Sequence, residues 1–209
     1  VAYEYIKDPA EIYRQSFATV AREAKLEALP VDMQPVAMRL IHSCGMIDII
    51  DDLAFSEHAV AAGKAALKNG CTVYCDVEMV KAGIIEKFLP KNLNLDCALN
   101  YAGVPDHAEK IGNTRSAAAV DFWNDLEGAI VVIGNAPTAL FRLLERVEEG
   151  APKPALVIGI PVGFIGASES KQTLSENSSG IEFITVHGRR GGSAMASAVL
   201  NALTIGGDA

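Results

Sequence analysis

In Arg39-Leu40-Ile41-His42-Ser43-Cys44-Gly45 a permanent cation and a titratable imidazole stand three residues apart. On a helix that spacing puts both side chains on one face. A guanidinium suits a carboxylate, which it can hold with two parallel hydrogen bonds. An imidazole exchanges its proton near neutral pH. Arg39 as anchor and His42 as proton carrier make a minimal acid/base site for an anionic substrate. The same spacing equally suits a histidine that only hydrogen-bonds on a helix surface, and the pair alone does not separate the two. The other histidines, His58, His107 and His187, are scattered, with no metal-ligand spacing among them, so no metal is expected.

Three glycine-bearing stretches could also meet an anion: GNAPT (134–138), GIPVGFIG (159–166) and HGRRGGS (187–193). Glycine permits close backbone approach, and a helix N-terminus attracts negative charge. Each is also readable as an ordinary strand-to-helix turn. Absent patterns narrow the chemistry further. The chain has no G-x-G-x-x-G after an early strand, no G-x-x-x-x-G-K-[ST], no H-E-x-x-H and no G-x-S-x-G. Nicotinamide, nucleotide, zinc-hydrolase and serine-hydrolase readings therefore lack an anchor, and no cofactor is expected.

The elements that must position these residues follow from caps and periodicity. Asp8-Pro9-Ala10-Glu11 predicts a helix start with a capping box, running to about Leu29 before Pro30. A second helix begins between Asp32 and Pro35, carries Arg39 and His42, and ends at Gly45. A third runs from Ser56 to Gly70. Strand candidates then alternate with helices: Cys71–Cys75, Leu95–Tyr101, AIVVIG (129–134), ALVIGI (155–160) and FITVHG (183–188). The helices run through DVEMVKAGI, from Thr114 through AAAVDFWNDL, from Pro137 to Gly150, through ESKQTLSEN and through SAMASAVLNAL. Apolar strands separated by helices predict an α/β fold: a Rossmann-like, mostly parallel sheet with helices on both faces and an N-terminal helical segment. One domain over 1–209 is expected, and ligands of such sheets bind at the carboxyl ends of the strands.

Composition sets outer bounds. Of the 209 residues 50% are hydrophobic and 21% charged, which argues against disorder. The formal net charge of -8, without a basic run, disfavours nucleic-acid binding. Cys44, Cys71, Cys75 and Cys97 lack C-x-x-C pairing and read as reduced thiols. No apolar span reaches membrane-crossing length, and VAYEYIKDPAEIY lacks a signal-peptide pattern, so a cytoplasmic setting is expected.

Taken in order, IYRQSF (12–17), RLIHSCG (39–45), CDVEMVKAGI (75–84), NTRSA (113–117), GNAPTALFRL (134–143), GIPVGFIGASESK (159–171) and GRRGGSAMA (188–196) closely resemble the precorrin-8X methylmutase family. The resemblance spans the chain without large gaps. It implies a homodimeric α/β isomerase of corrin (cobalamin) biosynthesis that moves a methyl group from C-11 to C-12 of precorrin-8X, giving hydrogenobyrinic acid. It implies His42 as the acid/base residue, with Ser16 and Arg39 contacting the tetrapyrrole. Ser43-Cys44 after the histidine resembles the oxygen-dependent members. A cobalt-precorrin-8 methylmutase and a non-catalytic tetrapyrrole carrier stay open as alternatives. Such a rearrangement needs no metal, nicotinamide or nucleotide. Read from the residues themselves, Arg115, Arg189 and Arg190 are further cations for the rim of a flat polycarboxylate, a structural ion pair being the alternative for Arg115.

Overall fold

The computed structural model describes residues 2–176 and 179–204. Helix α1 (Pro9–Glu23) starts as its caps require: the Asp8 carboxylate accepts from the Ala10 N–H at 3.0 Å, and Pro9 sits where no N–H is needed. The capping box does not close. The Glu11 carboxylate takes the side chains of Arg14 and Gln15 instead, both within one helical turn. The helix also ends sooner than expected. Ala24 turns extended, and a separate 3-10 turn covers Leu26–Ala28. Helix α2 (Gln34–Cys44) stops at Gly45, whose φ of 70° is left-handed.

Beyond it lie β1 (Leu53–Phe55), α3 (Ala59–Lys68), β2 (Thr72–Cys75), α4 (Glu78–Gly83), β3 (Asn94–Asp96), α5 (Val104–Ile111), α6 (Arg115–Val120), β4 (Ile130–Ile133), α7 (Pro137–Glu148), β5 (Leu156–Gly159), α8 (Ala167–Ser175), β6 (Phe183–Val186) and α9 (Ser193–Thr204). The strands form one sheet in the order β1-β6-β5-β4-β2-β3. All pairings are parallel except β1 with β6. Strand β1 and helix α5 were not anticipated. The strand expected to reach Tyr101 ends at Asp96 and passes into a 3-10 turn, Ala98–Asn100. The helix expected through Leu126 ends at Val120.

Alternation along the strands divides the core. Val73, Cys75, Ile130, Val132, Leu156 and Ile158 face one apolar layer, with residues of α2, α3 and α9. Tyr74, Val131, Ile133 and Val157 face the other, with residues of α5, α6 and α7. Period-2 side chains buried on both sides give the continuous apolar runs of a central parallel sheet. Among the described residues no helix is long and apolar enough to cross a membrane. Cys75 and Cys97 are buried, and burial pushes their thiols up, that of Cys97 to about 11.

Candidate active site

Helices α1 and α2 pack together and bring residues 26 positions apart into contact. Ser16 Oγ lies 2.8 Å from His42 Nδ1. The Tyr13 ring stacks on the imidazole at 5.4 Å between centroids, and Phe17 meets it edge-on at 5.2 Å. The Arg39 guanidinium sits 5.5 Å from the centroid of the Phe17 ring. Tyr13, Ser16 and Phe17 reach one face because 13, 16 and 17 are three and four apart. Burial, and then the positive charge of Arg39, hold the His42 pKa below its usual value. Both disfavour the imidazolium. The serine hydroxyl fixes its orientation.

Two hollows open at this histidine, and another adjoins one of them at Tyr13 and Arg39. One, of ≈ 540 Å³, runs between α1 and residues 85–88 and is lined by Tyr13, Phe17, Arg39, Ile85, Lys87 and Phe88. A second, of ≈ 320 Å³, passes from His42 and Arg39 to Gly83, Ser197 and Asn201. A third, of ≈ 350 Å³, opens beside Ser16 and His42 toward Thr19 and Ile47. The first is walled by aromatic and aliphatic side chains with a few cations, which suits a flat apolar molecule carrying carboxylates; the third is more polar, with Gln15, Thr19 and Glu23 on its wall.

The other expected cations stand elsewhere. Arg115 is exposed and donates to the Leu99 carbonyl at 3.2 Å and to Asn100 Oδ1 at 3.3 Å, on the turn after β3. Arg189 is exposed and lies 5.5 Å from the centroid of the Phe164 ring. Arg190 pairs with Asp48 at 2.6 Å and Asp52 at 2.5 Å, joining its loop to the turn that follows α2. Its main-chain carbonyl accepts from Lys171 Nζ at 2.7 Å, and burial lowers that lysine to about 8. None of the three lines the hollows at His42.

The glycine-bearing loop after β4 is also occupied from within. Chain order reverses between β2 and β4, where open α/β sheets bind ligands. Here the Asp76 carboxylate, 2% exposed, accepts from the N–H groups of Gly134, Asn135 and Ala136 at 3.0, 2.9 and 2.8 Å. Burial raises its pKa and the three N–H groups oppose that. The expectation that this loop offers its N–H groups to a substrate is corrected: a carboxylate of the same chain holds them.

Residues 11–205 match the family model described as precorrin-8X methylmutase. The chain belongs to that family. Methylmutases with closely related sequences include the precorrin-8X methylmutase of Pseudomonas aeruginosa, 55% identical over 96% of this chain and 97% of its own. That of a Sinorhizobium species is 48% identical, over 96% of each chain. The cobalt-precorrin-8 methylmutase of Priestia megaterium is 34% identical, over 94% of this chain and 88% of its own. The crystal structure of precorrin-8X methylmutase from Thermus thermophilus superposes with a TM-score of 0.84 at 35% identity, covering 93% of this chain and 94% of that one. As a methylmutase the protein is an isomerase of cobalamin biosynthesis that shifts a methyl group within one molecule. Sequence reasoning did not pick out Tyr13, Phe17, Lys87, Phe88 and Asn201 around this methylmutase's histidine. The helical spacing in IYRQSF could have found the first two; the others lie 70 or more positions beyond that motif, with no local signal.

Proposed function

We propose that the protein is a precorrin-8X methylmutase acting on the metal-free ring, with His42 as its acid/base residue and Ser16 and Arg39 as its closest partners. The observation that carries this reading is the Ser16–His42 contact, where two hollows open and another, walled by Tyr13, Phe17 and Phe88, adjoins at Arg39. The two relatives of about half identity are named for precorrin-8X, whereas names at 33% to 37% identity divide between the cobalt-loaded substrate and, for the Thermus thermophilus structure, precorrin-8X.

The C-11 to C-12 shift requires no net electron transfer and no leaving group. It requires a held geometry and a proton. The incoming carboxylates offset the field of Arg39, and the imidazole takes up a proton. His42 passes it to a ring nitrogen, drawing electron density toward the acceptor carbon. It recovers the proton when the rearranged chromophore forms. Acid/base catalysis supplies roughly 10²–10⁴-fold, and positioning supplies much of the remainder.

The whole of 1–209 acts as one methylmutase-like domain, in the cytoplasm, as a homodimer with its site at or near the subunit boundary. Tyr3 at 81%, Phe164 at 85% and Ile165 at 91% exposed supply apolar surface for a second copy to cover. In that arrangement Arg115 and Arg189 act on the ring from across the boundary, and Arg190 steadies the loop. Light scattering at micromolar concentration tests the dimer; a monomer mass would refute it. The function is tested by turnover of precorrin-8X and by a visible-absorbance titration with metal-free hydrogenobyrinic acid, with and without chelator. Turnover excludes a mere carrier. Binding that appears only with the cobalt-loaded ring would move the protein to the cobalt route.

A further inference from the structure

The outer wall of the cavity between α1 and residues 85–88, next to the hollow at His42, has its own support, and that support lies in α9. Asn201 is 6% exposed, and both halves of its amide are engaged by the main chain of one segment. Its Oδ1 accepts from the Ile85 N–H at 2.9 Å, and its Nδ2 donates to the Gly83 carbonyl at 2.9 Å. Gly83 itself rests on α9 so closely that a Cβ there would collide with the Ser197 side chain. Just beyond this clamp, Ile85, Lys87 and Phe88 line the cavity opposite Tyr13, Phe17 and Arg39. Helix α9 also packs against α2, which carries Arg39 and His42. One helix therefore backs both walls.

The cations on this cavity differ. Arg14 is neutralised by Glu11 at 2.5 Å. The Lys87 ammonium lies 4.7 Å from the centroid of the Phe88 ring, and among the described residues no carboxylate pairs with it. An exposed ammonium beside an aromatic wall suits a ligand with a flat apolar face and a carboxylate at its rim. We infer that Asn201 is a positioning residue for the methyl shift, fixing residues 83–88 as the outer wall of the cavity so that Lys87 grips a ring carboxylate. This deepens the substrate reading above and rests on it.

The test is a visible-absorbance titration with hydrogenobyrinic acid, paired with steady-state kinetics, on wild type, Lys87→Gln, Asn201→Leu and the double variant. Lys87→Gln is expected to raise Kd about five- to tenfold, as for a partly exposed charge-assisted contact. That gap should shrink as salt is raised from about 0.05 to about 0.5 M. Asn201→Leu is expected to raise Kd and KM by a similar factor, with kcat within about twofold and a weakened salt response. The double variant should be little worse than either single one. A purely structural role for Asn201 would lower the melting temperature and leave Kd and its salt dependence unchanged, which overturns the positioning role. Should Asn201→Leu fail to fold, Asn201→Asp keeps the acceptor for Ile85 and loses the donor to Gly83, and the same Kd readout applies. A wild-type Kd in Lys87→Gln removes Lys87 from the site. Absence of any spectral change in wild type instead refutes the substrate reading, and this inference with it.

Discussion

Ser16→Ala isolates one contact in the site, the 2.8 Å approach of Oγ to His42 Nδ1. A hydrogen bond of this kind contributes about 0.5–1.5 kcal/mol net, which is a factor of roughly 2 to 13 in rate. Because His42 is exposed, water can replace the hydroxyl at Nδ1, and the lower half of that range is expected. His42→Ala should cost on the order of 10²–10⁴-fold, because the proton carrier itself is gone. Ser16 acts on the rearrangement through the imidazole it orients, so the two effects must not multiply. The double variant should match His42→Ala within about twofold, with a coupling energy close to the whole Ser16 effect. Single-turnover absorbance traces at saturating precorrin-8X give the four rates, and a product titration on each preparation controls for binding. The reasoning is refuted if the double variant is slower than His42→Ala by the full Ser16 factor, or if His42→Ala turns over within about threefold of wild type.

Arg39→Ala should weaken hydrogenobyrinic acid binding by about 1.5–3 kcal/mol, and Arg39→Lys should restore only part of it, since an ammonium lacks the two-pronged fit; the titration already described measures both. Asp76→Ala strips three main-chain N–H groups of a buried acceptor and should cost on the order of 3 kcal/mol, seen as a lower urea midpoint at unchanged slope. Lys171 has a folded pKa of about 8 against an ordinary 10.5, so between those values the unfolded chain binds the proton that the folded one lacks. Its contribution to stability therefore rises with pH across that window, and the wild-type stability curve should climb relative to Lys171→Met as pH goes from 8 to 10.5. A pH-independent difference between the two would place the Lys171 pKa elsewhere.

Sequence patterns carried the sheet well where residues are buried on both faces. The runs 130–133 and 156–159 have no reading other than central strands once helices flank them. Patterns failed where structure is short or set by distant partners. Strand β1 is three residues long and exists because β6 offers it an edge. Helix α5 begins at Val104-Pro105 and ends at the left-handed Gly112, so its start and stop signals are both in the sequence, but it spans only eight residues. In the site, Ser16 touches His42 and Arg39 lies against Phe17, so the three residues taken from the family resemblance stand close together. Arg115, Arg189 and Arg190 could be listed as cations, but only tertiary structure reveals their neighbours. Nothing local to Arg190 announces Asp48 and Asp52, about 140 positions earlier. Asn201 likewise looks like any polar residue of α9 until Gly83 and Ile85 are seen against it.

The carboxylate of Asp76 in the loop after β4 bears on what the enzyme ignores in a cell crowded with nucleotides and free phosphate. The crevice at the sheet's reversal is where folds of this type ordinarily take up the phosphates of a cofactor. Here its N–H donors already hold a tethered anion whose local concentration no diffusing phosphate can match. A phosphate approaching that crevice meets donors that are already filled. The fold thus carries its own permanent competitor for that crevice, and the hollows beside His42 lie elsewhere, between helices. Refusal of the commonest phosphates is in this way built into the sheet itself, through a buried side chain outside the cavities beside His42.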